Sequence, residues 1–127
     1  MNVIGPINTG AAAGGAGVAT ATGVSTHVVS GLLIGAYILY NGSPPAGTTD
    51  VTIATQGTTP APPAYNLLVV TDAATDGWFY PRVNAHDTAA AAQSTVWELL
   101  PIHDIVSVTI AGANDDDTAD VWLMIQE

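Results

Sequence analysis

The chain has 127 residues with 11 acidic side chains against a single Arg82, no lysine and no cysteine, for a net charge of −10. That length suits one domain with a core of its own. The composition rules out disulfides, thiol catalysis and Cys-ligated zinc, and it argues against nucleic acid and anionic membranes, which are held by Lys and Arg.

Residues 1–23 read MNVIGPINTGAAAGGAGVATATG, with no charge and no bulky side chain after Ile7. Such a segment is either a leader without structure, because small side chains bury little area to offset ordering entropy, or an arm that orders against a partner. The arm is the expectation taken here. It places Val3, Ile4 and Ile7 at a partner interface, and its removal is expected to leave the domain folded. No basic region follows Met1, so no secretory signal is expected.

Val28–Tyr40 is the longest apolar run, thirteen residues interrupted by Ser30, Gly31 and Gly35. A spanning helix needs about 20 apolar residues, and the aromatic and β-branched content favours strand. Leu32, Ile34, Ala36, Ile38 and Tyr40 are expected on one face, with Leu33, Tyr37 and Leu39 on the other. With both faces apolar, Tyr37 becomes a second candidate contact.

Asn41–Pro45 is a turn signal, Asp50–Thr55 a short strand, and Gln56–Ala64 a Pro-rich extended loop. Tyr65–Thr71 and Trp78–Asn84 read as strands joined by the Asp72–Gly77 turn, with Pro81 marking an edge or a bulge. Ala85–Ser94 is a helical turn or a loop, and Thr95–Leu100 is a strand ended by Pro101. Ile105–Ala111 and Ala119–Gln126 alternate cleanly about GANDDDT and read as a hairpin. The expectation is therefore an all-β chain: a single β-sandwich, jelly-roll or Ig-like, over residues 24–127, with an extended N-terminal arm over 1–23.

Candidate chemistry is sparse. Asp115, Asp117 and Asp120 form the densest carboxylate group, and close-set oxygen ligands suit calcium. The EF-hand order is missing, and Asn and Asp also serve plain turns, so no metal or cofactor is expected. His86-Asp87 and His103-Asp104 are neighbours in sequence, which in a strand puts the two side chains on opposite faces. No GxSxG elbow and no phosphate loop occurs, and no enzymatic activity is expected. Arg82 is expected either to pair with Asp76 or Asp87 or to anchor an interface. Trp78, Phe79 and Tyr80 suit a core, a protein contact or, less well, a sugar platform.

Only 9% of the residues are charged, against ~25% in ordinary soluble domains, so much of the surface is expected to be covered by neighbours. From Val24 onward, the segments DGWFYPRV and HDIVSVTIAG…DVWLMI, with the small acidic Lys-free texture around them, resemble the head decoration or cement proteins of tailed bacteriophages. The resemblance implies a homotrimer on the capsid exterior of a virion, bridging subunits of the major capsid protein. A tail- or fibre-associated β-domain, a carbohydrate-binding module and a calcium-dependent adhesion module are the alternatives.

Overall fold

The computed structural model describes residues 1–58 and 60–127. The described residues form eleven strands and no helix: β1 (Asn2–Asn8), β2 (Ala19–Val24), β3 (Val29–Asn41), β4 (Asp50–Thr55), β5 (Asn66–Val70), β6 (Gly77–Phe79), β7 (Val83–His86), β8 (Ala92–Glu98), β9 (Leu100–Asp104), β10 (Val106–Ala113) and β11 (Thr118–Gln126). One sheet has the order β1-β11-β3-β6, with β9 also pairing with β3. A second has the order β2-β10-β4-β5, and β7 and β8 make a separate two-stranded ribbon. The chain is thus an all-β sandwich, and every paired strand is antiparallel.

The core lies between the two larger sheets. Alternation in β10 buries Val106, Val108 and Ile110, and alternation in β11 buries Val121, Leu123 and Ile125. Both inward sets match the pattern read from sequence. The expected hairpin does not form. β10 joins β2 and β4, whereas β11 joins β1 and β3, so the two strands face each other across the core. Alternation marks which side of a strand is buried, but it carries no information about the pairing partner.

The N-terminal segment is not a detached arm. β1 pairs with β11 and β2 pairs with β10, one in each sheet. Ile7, Ala12 and Ala19 are buried members of the core. The domain boundary expected at residue 24 therefore falls inside the sandwich. Small residues here serve close packing: a Cβ added at Gly23 would lie 1.8 Å from the Asn8 carbonyl oxygen. The end of β1 crosses β2 where no side chain fits.

In β3 the buried set changes parity. Val29 and Leu33 are buried, then Ala36, Ile38 and Tyr40. Met124 faces Gly35 whereas Ile125 faces Leu33, which leaves Ile34 as an extra residue on β3. This bulge flips the alternation, so Leu32 points outward and Leu33 inward, opposite to the expected faces. Two other expected strands are each divided. Trp78–Asn84 breaks into β6 and β7, and Thr95–Leu100 is shared between β8 and β9. Pro101 lies within β9 opposite Leu32, which is tolerated because, among the described residues, β3 is the only neighbour of β9. Ala85–Ser94 holds neither a helix nor a plain loop, because the Asp87 carboxylate accepts the Ala89 and Ala91 amides at 2.8 and 3.0 Å and fixes a turn between β7 and β8.

The Pro-rich 56–64 segment, of which Thr59 lies outside the described residues, is fastened by Asp104. That carboxylate, 3% exposed, accepts the amides of Gly57 at 2.6 Å, Thr58 at 3.3 Å and Ile105 at 2.7 Å. Burial pushes its carboxyl up, but the amides of Gly57, Ile105 and Thr58 outweigh burial and hold it below the ordinary carboxylate value. The folded chain therefore binds fewer protons than the unfolded chain at mildly acid pH. The stabilisation is complete above the unfolded value and is lost as pH falls through the folded one. Asp104→Asn is expected to melt below wild type at pH 7, with the gap closing below about pH 4. Thermal melts across pH check this, and a gap independent of pH would overturn it.

Tyr40 carries the opposite kind of defect. Its ring is buried and its hydroxyl has no hydrogen-bond partner among the described residues. Burial raises the phenol above its usual value, and the Asp76 carboxylate adds to the rise. An unmet buried hydroxyl costs about 1–3 kcal/mol. Tyr40→Phe keeps the ring and is expected to raise stability by about 1 kcal/mol, measurable by urea denaturation. A loss of stability would show that the hydroxyl has a partner.

Candidate protein-interaction surface

The outer faces of the two sheets differ in chemistry. On the four-stranded sheet, Thr22 of β2, Thr109 of β10, Thr52 of β4 and Val69 of β5 line up across the strands, and Thr22 and Thr109 share a hydrogen bond of 2.9 Å. On the other sheet the outward row is aromatic. Trp122 of β11 lies opposite Tyr37 of β3, which lies opposite Trp78 of β6. The Tyr37 ring is 6.0 Å from Trp122 and 5.3 Å from Trp78, tilted by 58° and 59°. These are favourable edge-to-face separations.

The adjoining row runs from Val3 to Met124 to Gly35. Gly35 leaves room there for the Tyr80 ring, which a Cβ would approach to 3.0 Å and push aside. Tyr80 therefore lies over the strand and stacks on Trp78, with centroids 6.3 Å apart and planes 13° apart. Val3, Tyr37, Trp78, Trp122 and Met124 line an open hollow of about 430 Å³. Val3 is 62%, Trp78 44% and Tyr80 60% exposed. Large apolar side chains in such numbers on one face mark a contact site more often than a solvated surface.

Polar groups border the hollow. Asp120 shares the outward parity of Trp122, and its two oxygens accept from Asn8 at 2.7 Å and Asn41 at 3.3 Å. Arg82 gives Nη1 to the carbonyls of Ile34 and Pro81 at 2.9 and 2.8 Å. Its two expected carboxylate partners are engaged elsewhere: Asp76 accepts the Tyr40 amide and Asp87 holds the β7–β8 turn.

Of the residues expected at an interface, Val3 and Tyr37 meet in the hollow, and exposed Arg82 lies on the segment leading from it to β7. Ile7 belongs to the core, and Ile4 packs against the core. Neither is available on that outer face, because β1 alternates and is paired. Trp78, Tyr80, Trp122 and Met124 complete the site. The signal for two of them was the outward parity of Trp122 and Met124 in an otherwise inward-facing apolar strand.

The calcium candidates are each spent on internal donors. Asp117 is buried and accepts the Ala46 and Asn114 amides at 3.1 and 3.0 Å. Asp115 receives the Gly14 amide, and Asp120 is held by the two asparagines described above. No cluster of three metal-ligating side chains occurs among the described residues. His103 contacts Ser30 at 3.1 Å while its sequence neighbour Asp104 is turned to the 56–64 loop, so the pair forms no relay. None of the described helices, there being none, crosses a membrane.

No protein-family model matches the chain, and no curated protein matches it in sequence.

Proposed function

We propose that the chain is a non-catalytic structural protein of a virus particle, which binds the outside of a tailed-phage capsid and braces the major capsid protein beneath it. The observation that carries the binding part of this reading is the aromatic hollow. It has an apolar floor of Trp, Tyr, Met and Val within a rim of Asn and Asp side chains, the layout of a protein–protein contact. The phage-capsid assignment comes from the resemblance of the DGWFYPRV and HDIVSVTIAG…DVWLMI segments to decoration proteins. A small acidic sandwich without lysine suits a shell exterior, since it gives the packaged nucleic acid nothing to bind.

A sugar platform is the competing use of such aromatics. The floor of the hollow is apolar apart from the Tyr37 hydroxyl and the two indole N–H groups, which favours a protein surface. The test is co-sedimentation with purified tailed-phage heads. The protein is expected to pellet with the heads at near-constant stoichiometry. Recovery in the supernatant at every ratio, or binding to a glycan array instead, would overturn the reading.

A further inference from the structure

We propose that the aromatic hollow receives a basic segment of its partner, seated by an arginine side chain on the Trp and Tyr rings. The inference rests on the reading of the hollow as a partner contact, and it names the chemistry of what fills it. Strand register sets two carboxylates beside the rings. Across β11 and β3, Trp122 lies opposite Tyr37 and Asp120 lies opposite Leu39. On the other flank of β3, Trp78 lies opposite Tyr37 and Gly77 opposite Ile38. Asp76 therefore comes alongside the Leu39 row, where its Oδ1 accepts the Tyr40 amide at 2.8 Å. The row next to the aromatic one thus runs from Asp120 through Leu39 to Asp76, about 6.8 Å along the strands.

Neither carboxylate meets a cation among the described residues. The donors to Asp120 are the side-chain amides of Asn8 and Asn41, the donor to Asp76 is a backbone amide, and all three are neutral. Arg82, the one Lys or Arg of the chain, gives its Nη1 to the carbonyls of Ile34 and Pro81. Asp76 is exposed and Asp120 half-buried. A carboxylate has about four lone-pair sites, so each keeps room for a further donor.

The rings supply the other half of a cation site. The Tyr37 centroid is 5.3 Å from that of Trp78 and 6.0 Å from that of Trp122. A group resting over Tyr37 and Trp78 is then within the ~6 Å of both centroids over which an aromatic ring attracts a cation. A neutral apolar side chain would use the rings but cover the two aspartates with nothing to pair them, which is costly. An acidic one would be repelled by a chain of net charge −10. Arginine meets both demands, because its planar guanidinium stacks on rings and forks onto a carboxylate, while its stem covers apolar surface.

The test uses the full chain and blocked glycine peptides that carry arginine, citrulline or leucine at the centre. Citrulline keeps the shape of arginine without its charge. Binding at millimolar peptide is followed by NMR on the indole N–H signals of Trp78 and Trp122, with Trp97 on β8 as the reference outside the hollow. The arginine peptide is expected to move both hollow signals and to bind about three- to tenfold tighter than the citrulline peptide. In Asp76→Asn/Asp120→Asn that preference is expected to fall by at least about twofold, with the thermal melt retained. Should the double variant fail to fold, Asp120→Asn alone carries the comparison. Equal binding of arginine and citrulline, tighter binding of leucine, a preference indifferent to the aspartate substitutions, or no response from either indole overturns the proposal. Phage heads are absent from this experiment, so the two readings fail separately. Heads that pellet the protein while arginine has no advantage leave an apolar capsid contact, and an arginine preference without pelleting leaves the cation site and removes the capsid.

Discussion

Removal of residues 1–8 is expected to abolish cooperative unfolding altogether. β1 contributes Ile7, 4% exposed, to the core and supplies one whole edge of β11 with its ladder. Truncating a buried isoleucine alone costs about 2–5 kcal/mol, and a domain of this size has about 5–15 kcal/mol in total. Loss of the strand adds the exposed flank of β11, whose inward residues Val121, Leu123 and Ile125 are the centre of the core. Ile7→Ala, which keeps the ladder, is expected to retain a sharp transition shifted by about 2–5 kcal/mol. Urea denaturation of both proteins followed by circular dichroism separates the cases. A truncated chain that still melts cooperatively would show that β1 is dispensable.

Substituting Trp78 and Trp122 together by serine is expected to reduce binding to phage heads by at least a hundredfold while leaving the fold intact. Central aromatic anchors at interfaces are worth about 2–4 kcal/mol each on truncation, and each 1.4 kcal/mol is about tenfold. Trp78 is on the three-residue edge strand β6 and is nearly half exposed. Trp122 belongs to the outward row of β11, so neither ring is part of the buried core. Thr109→Ser, on the outer face of the opposite sheet, is the matched control and is expected to bind as wild type. Equal binding by all three proteins would place the capsid contact elsewhere.

Much of the β character was legible from local pattern. Asp50–Thr55 corresponds to β4 residue for residue, and the inward sets of β10 and β11 were read correctly because alternation is a local property. What was not legible depends on residues far apart. The partnership of β10 with β4 and of β11 with β3 is decided by the whole core. The parity change at Ile34 depends on a bulge set by Met124 and Ile125. β1 and β2 were hidden because Ala, Gly and Thr resemble a leader in composition, although Gly23 and Ala19 are small because neighbouring backbone crosses there. The aromatic hollow needed the same register. Tyr37, Trp78 and Trp122 are far apart in sequence and become neighbours only once three strands are aligned. In the acidic 114–120 loop, the part played by Asp117 is likewise a matter of distant contacts, since it accepts the amide of Ala46 as well as that of Asn114 in its own turn.

The pairing of the first two strands with the last two also constrains the order of events on the ribosome. β1 waits for β11 and β2 waits for β10, so neither sheet can acquire its N-terminal edge until residues beyond 105 have left the exit tunnel. Contacts this distant along the chain make for slow closure. Until then the apolar β3 and the β-branched β4 and β5 are synthesised without their central neighbours, which makes the nascent chain vulnerable to association with its own copies.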